Sequence, residues 1–380
     1  MFQSAFGGLP GAGRPRRPSL YRVLVMLLFL PLLGVYLAGH WIGLLLDEVL
    51  FPGYRKVPVK SPLFIVGPPR SGTTFLHSLF ALDDRFTTFS TWECLFAPSV
   101  CQRKVILALN ALDGRLGRPL GKALTRLTDR LASALRDVHP VDLGAPEEDY
   151  LSLLPVLGTF ILAIPFSTSE YCWRLSEFDR ALPKAQQQRL LRYYRRALQR
   201  HLYVHGGGES KRLLSKNASF APLLGALLEE FPDAEVICCL RDPVQTLPSQ
   251  LSAIQSGVRL FDSDPEGVIF PRRITRSLRY YYENLLERLP TLPAGRRAVV
   301  EMDSLQAQPE KVVRRLYDTL GIDLSAAFSV RLAQAGAAAR GYRSRHRYTL
   351  AEFGLDELTV RREFAAVYAR YPARERPATG

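Results

Sequence analysis

Residues Gly67-Pro68-Pro69-Arg70-Ser71-Gly72-Thr73-Thr74 bring two glycines, one forked cation and three hydroxyls into a single short segment. Gly67 and Gly72 have the spacing of the glycines in the phosphate-binding loop G-x-x-x-x-G-K-[ST]. Thr73 stands where that loop carries the lysine that reaches the β- and γ-phosphates of a nucleoside triphosphate. What remains suits a shorter 5′-anion: backbone amides, the hydroxyls of Ser71, Thr73 and Thr74, and the Arg70 guanidinium. A Gly-Pro turn closed by a threonine cap is the purely structural alternative. A second anion site is encoded further on. Arg241 ends the apolar run Glu235 to Leu240, and Thr246 and Ser249 follow it on a helix start. Two such sites, each after its own strand, suit a ligand charged at both ends. Pro248 is expected to disturb the turns that present Ser249, with Ser252 as the substitute.

The pattern Pro69-Arg70-Ser71-Gly72-Thr73-Thr74 resembles the 5′-phosphosulfate loop of the sulfotransferases that use 3′-phosphoadenosine-5′-phosphosulfate (PAPS). The stretch Glu235 to Pro243 with Ser249 is similar to that family's 3′-phosphate motif, which implies that role for Arg241 and Ser249. Leu213-Leu214-Ser215-Lys216-Asn217 resembles the lysine-bearing strand end of the same family. The resemblance assigns Lys216 to the oxygen that bridges phosphate and sulfate. A solvated loop lysine is the plain alternative.

Sulfuryl transfer to a hydroxyl needs a base for the acceptor proton and cations for the charge moving onto the leaving phosphate. Trp92-Glu93, 23 residues after Arg70, resembles the tyrosylprotein sulfotransferases, where a glutamate has nearly this offset. Glu93 beside Trp92 and Phe96 is expected to be partly desolvated, with a raised pKa. Glu147, Glu148 and Asp149 after Pro146 are the competing carboxylates, although Pro-Glu-Glu-Asp also suits a helix N-terminus. His139 is a further candidate base. His77 is expected to pack within the loop helix. Tyr280, Tyr281 and Tyr282 offer either an adenine-stacking ring or an aromatic face packed on the sheet. Tyr342 to Tyr348, with Arg343, Arg345 and His346, resembles the C-terminal part of bacterial members and could close over the 3′-phosphate. No metal-ligand spacing emerges, and the scheme requires no metal.

Strands and helices must place these groups. Leu63 to Val66 reads as a buried parallel strand, Thr73 to Leu82 as the helix after the loop, and Ala234 to Leu240 as a second strand. Arg297 to Met302 reads as a third strand, followed by a helix from Pro309 to Leu320. Gln186 to Tyr203 reads as an amphipathic basic helix, and Tyr150 to Phe166 as a proline-broken one. Strands alternating with helices predict an α/β, P-loop-like three-layer fold around a mostly parallel sheet.

Composition limits the partners. The 380 residues carry 50 basic and 36 acidic groups, a net charge of +14, and only eight of the basic residues are lysines. That balance admits nucleic acid, anionic lipid or a phosphate-bearing ligand, and no basic stripe with interleaved aromatics marks nucleic acid. Five cysteines are too few and too irregular for a disulfide scaffold. A mean hydropathy of −0.01 is high for a soluble enzyme. It traces to Val23–Leu46, which holds no charged residue and could cross a bilayer core of about 30 Å. Pro31, Gly34, Gly39 and Gly43 interrupt it, so a surface-lying segment is open too.

The organisation expected is a basic tail over 1–22, a transmembrane or membrane-inserted segment over 23–46 and a sulfotransferase domain over 57–380. The resemblance implies transfer of a sulfuryl group from PAPS to a hydroxyl on a lipid, carbohydrate or tyrosine acceptor, with membrane lipids as a further partner. The bacterial-type resemblance favours the cytosolic face. Two alternatives stand beside this reading: a kinase or NTPase with an altered loop, and a non-catalytic membrane adaptor.

Overall fold

The computed structural model describes residue 5 and residues 17–119, 121–122, 142–207, 210–339 and 349–370. Its centre is a five-stranded sheet in the order β2-β3-β1-β4-β5, with every pairing parallel. The strands are β1 (Leu63–Val66), β2 (Phe86–Thr87), β3 (Arg212–Asn217), β4 (Glu235–Leu240) and β5 (Arg297–Glu301). The longer helices are α1 (Leu20–Leu50), α2 (Thr73–Phe80), α3 (Thr91–Phe96), α4 (Val100–Arg115), α5 (Lys184–Val204), α6 (Leu224–Glu230), α7 (Pro243–Leu260), α8 (Ile269–Arg288) and α9 (Pro309–Thr319).

β1 shows why the sheet is sandwiched. Its four residues are fully buried and alternate between two cores: Phe64 and Val66 pack into one, Leu63 and Ile65 into the other. A strand apolar on both faces needs helices on both faces, which gives the three-layer α/β architecture. α2 and α9 lie against the Leu63 face, and α5, α6 and α8 against the Phe64 face.

The chain leaves β1 on one side to build β2 and β3, then crosses to build β4 and β5 on the other. The carboxyl end of β1 is therefore a topological switch point, where parallel sheets open a crevice. The loop Gly67 to Gly72 occupies that end, and the carboxyl ends of β3 and β4 flank it.

The segment Tyr150 to Phe166 forms two 3₁₀ helices, Asp149–Val156 and Phe160–Ala163, rather than one broken α-helix. Leu157 between them adopts a left-handed φ of 55° and turns the chain. β2 has only two residues, paired to Arg212 and Leu213, and no periodicity announces it. The arginine-rich stretch over residues 103–136 is helical as far as Arg115, as α4; residues 120 and 123–141 lie outside the described residues.

α1 begins at Leu20 and ends at Leu50, longer at both ends than the uncharged run. Charged residues join it because the rest of the fold buries them. Arg22 donates to the carbonyls of Phe261 (2.7 Å) and Pro165 (3.1 Å). Asp47 pairs with Arg200 at 2.8 Å and caps the start of α4 through the amides of Val100 and Cys101. By length and composition α1 could cross a membrane.

Candidate active site

Gly67 sits where β4 presses on the loop. A Cβ there would lie 2.3 Å from the Cys239 carbonyl oxygen and 2.7 Å from Ser71 Oγ, so no other residue fits without displacing backbone. Gly72 (φ 90°) precedes the first turn of α2, and Arg70 holds a left-handed φ of 67°. Such a non-glycine conformation costs about 1–3 kcal/mol and persists only where its surroundings enforce it. Here it aims Arg70 Nε at Ser249 Oγ, 3.1 Å away. Ser71 is fully buried, and among the described residues its hydroxyl has no hydrogen-bond partner. An orphaned hydroxyl beside a helix N-terminus fits an anion seated on the loop.

The second predicted site joins the first. Arg241 donates through Nη1 to the Arg70 carbonyl at 3.1 Å and through Nε to Gln245 at 3.2 Å. α7 starts at Pro243, with Asp242 capping the amide of Val244. It runs unbroken through Pro248, so the expected displacement of Ser249 does not occur. The proline removes one interior hydrogen bond, but Ser249 stays buried and faces Arg70.

Lys216 is no loop residue. It lies within β3, buried, with Nζ 3.2 Å from Thr74 Oγ1 and 2.8 Å from Glu148 Oε1. Strand, loop helix and the Glu147-Glu148-Asp149 segment converge on that ammonium. Next to it Asp149 is fully buried and accepts from Tyr194 Oη (2.8 Å) and Ser215 Oγ (2.9 Å), and from the Asn217 amide. Burial pushes its carboxyl up to about 6, against the pull of those three donors. Its native-state pKa lies above the ordinary 3.8, so the folded chain binds the extra proton and stability falls as pH rises from about 4 to 6. At about 1.4 kcal/mol per pH unit the term is roughly 3 kcal/mol. Asp149→Asn is expected to remove it, which urea unfolding at pH 4 and pH 7 reads directly. An unchanged pH dependence in the variant contradicts the assignment.

The raised pKa expected for Glu93 requires a correction. It is the N3 residue of α3, in a capping box with Ser90. Its Oε1 meets His201 Nδ1 at 3.1 Å, His205 Nε2 at 2.8 Å and Arg103 Nε at 3.4 Å. Burial would raise its pKa, as expected from the sequence. The cations and donors around it, His201 and Arg103 first, instead hold it far below the carboxylate range. Phe96, expected to shield it, points largely to solvent. His201 is itself pushed down to about 4 by burial. Its Nδ1 faces Glu93, and its Nε2 lies 2.9 Å from Thr87 Oγ1. Sequence reasoning missed Arg103 and the histidine pair, although His201 and His205 share one face of α5 at i, i+4 spacing. Among the described residues Glu93, His201 and His205 also have ligand atoms within 4.8 Å of one another, a grouping no motif spacing revealed. Arg103, buried against the same carboxylate oxygen, opposes a cation there.

His77 is buried against Thr88 and pushed down to about 3, by burial and then by Lys216. Tyr280, Tyr281 and Tyr282 are all buried in the core on the α8 side, and Tyr282 donates to the Arg241 carbonyl. Ser252 is half-buried. His139 and the segment Tyr342 to Tyr348 lie outside the described residues.

A cavity of about 210 Å³ opens beside the Gly67–Gly72 loop. Pro69, Tyr150, Phe160, Ile161, Ile254 and Phe270 are among the residues that line it.

The chain matches the model of the sulfotransferase family over residues 62–326. It is 27% identical over 338 residues to the omega-hydroxy-beta-dihydromenaquinone-9 sulfotransferase Stf3 of Mycobacterium bovis, covering 86% of this chain and 81% of that one. The Mycobacterium tuberculosis protein of the same name matches equally. The solved sulfotransferase STF9 from Mycobacterium avium has a TM-score of 0.74 at 19% identity, over 98% of this chain and 94% of that one. STF1 from Mycobacterium tuberculosis has a TM-score of 0.61 at 22% identity, over 83% and 79%. At those identities the two structures speak for the fold. The family match decides against the kinase, NTPase and adaptor alternatives: this chain is an enzyme of the sulfotransferase family.

Proposed function

We propose that the enzyme transfers a sulfuryl group from PAPS to the hydroxyl of an apolar lipid alcohol at a membrane, on the cytosolic side. The observation that carries the reading is Lys216 Nζ, placed between the donor-loop hydroxyl of Thr74 and the carboxylate of Glu148. One cation thereby stands next to both an anion cradle and a carboxylate suited to take a proton.

The donor supplies the sulfuryl group as a mixed phosphate–sulfate anhydride. Ser71, Gly72, Thr73, Thr74 and Arg70 would hold its 5′ end, and Arg241 and Ser249 its 3′-phosphate. The orphaned Ser71 hydroxyl and the glycine-enforced cradle fit that ligand. Glu148 takes the proton from the acceptor hydroxyl as the new oxygen–sulfur bond forms. Lys216, with an anion on the loop as its second acceptor, releases Glu148 and holds the negative charge that builds on the leaving phosphate. Glu93, proposed from the sequence as base, is committed to its histidine and arginine partners, and Glu148 is the base in this reading.

The acceptor class rests on the cavity, which is lined mostly by apolar side chains and also by Pro69 of the loop and Tyr150, two residues after Glu148. Stf3, by its name, acts on a hydroxylated menaquinone lipid, and an isoprenoid or long-chain alcohol suits this cavity as well. Transfer of ³⁵S-label from PAPS to lipid, glycan and protein fractions tests the reading. Label confined to protein or glycan overturns the acceptor class, and no transfer to any fraction overturns the function. A second measurement addresses the donor. Arg241→Ala is expected to lose a charge-assisted contact worth about 1.5–3 kcal/mol to adenosine 3′,5′-bisphosphate. Calorimetry showing unchanged affinity removes Arg241 from the 3′-phosphate site.

A further inference from the structure

We infer that α1 does not cross the bilayer but lies along one leaflet, with α4 as a second contact, so that the enzyme is bound to one membrane face. This extends the proposed membrane association and rests on it. The buried side of α1 is one stripe: Arg22, Met26, His40, Gly43, Leu44 and Asp47. Polar pegs fasten that stripe to the catalytic body along its length. At one end Arg22 donates to the Phe261 carbonyl and at the other Asp47 pairs with Arg200, while Tyr36 Oη donates to the Leu95 carbonyl (2.8 Å) and Trp41 Nε1 to the Pro155 carbonyl (3.0 Å). At about 1.5 Å per residue the end pegs are about 37 Å apart, the full thickness of a bilayer core. A helix inserted end-on would drag the paired domain surface through hydrocarbon or strip these groups of their partners.

The opposite side of α1 holds no charge from Leu24 to Leu46. Leu24, Leu28, Leu32, Val35, Ile42 and Leu46 are all exposed there. α4 packs against α1 and adds Val105, Leu109, Leu112 and Leu116, exposed at helical spacing. Exposed Lys104, Arg115, Arg118 and Lys122 border that second stripe. An apolar face with a basic border is the surface that an anionic leaflet complements.

The full chain is tested on vesicles of phosphatidylcholine with and without phosphatidylglycerol. Single cysteines replacing Leu24, Val35 and Leu46, in a Cys101→Ser background, carry a fluorophore whose depth is read with spin-labelled lipids. Equal shallow depths at the three positions, with tighter binding to the anionic vesicles, are expected. Val35 lying deeper than both Leu24 and Leu46 overturns the in-plane placement and leaves membrane association standing. Absence of vesicle binding, with a dimer in solution, makes a second copy the occupant and overturns both. Leu109→Asp with Leu112→Asp is expected to weaken binding at least about tenfold while circular dichroism stays that of the wild type. Unchanged binding overturns the part given to α4.

Discussion

Glu148→Gln is expected to bind adenosine 3′,5′-bisphosphate as the wild type does and to lose about 10²–10⁴-fold in kcat. The amide keeps the size and can still accept from Lys216 Nζ, which is 2.8 Å from Oε1. What it lacks is a lone pair basic enough to hold the acceptor proton. Glu148 keeps a fifth of its side chain open to solvent and to a substrate, whereas the Glu93 side chain is only 2% exposed. Single-turnover kinetics with pre-bound PAPS separates this loss from weaker donor binding. A variant with wild-type turnover would return the proton to another group and dissolve the argument built on Lys216.

Glu93→Gln is the second large effect, and it concerns stability. The substitution removes the carboxylate that, among the described residues, forms an ion pair with Arg103, whose side chain is fully buried. Among the described residues Arg103 would keep one hydrogen bond, from Nε to the Ala97 carbonyl, while Nη1 and Nη2 already lack partners there. Breaking a buried ion pair by removing one member costs about 3–5 kcal/mol, because the remaining charge is left uncompensated. Urea unfolding should show a loss of that order. The double variant Glu93→Gln, Arg103→Met should recover part of it, since the stranded charge is gone too. Intact stability in the single variant, with lost turnover, would restore Glu93 to the reaction.

The two predictions mark how far the chain could be read before it was folded. β1, β4, the donor loop and Arg241 were legible because each is a local pattern: a short apolar run, a glycine pair, an arginine at a strand end. The charged network around Glu93 joins residues 108 and 112 positions apart, and no local pattern states such distances. The desolvation argument for Glu93 identified burial correctly and erred on what surrounds it. Glu148 was visible as one of three adjacent carboxylates, but only the fold shows which of them meets Lys216 and which, Asp149, turns into the core. α1 exceeds its apolar run for the same kind of reason. Arg22 and Asp47 look like boundaries in a hydropathy profile, and partners 239 and 153 residues away bring them inside.

The contact between Arg70 and Ser249 and the one between Arg241 and the Arg70 carbonyl join the two proposed anion cradles into a single gauge. On the proposed reading, a nucleotide is measured by the span between its charged ends as well as by each end. A mononucleotide fills one cradle and leaves the other's cations facing water. A ligand with both groups at the right span engages both while losing its freedom of motion once. Selection against adenine nucleotides phosphorylated at one end only would then arise from chelation, with no residue dedicated to rejecting them.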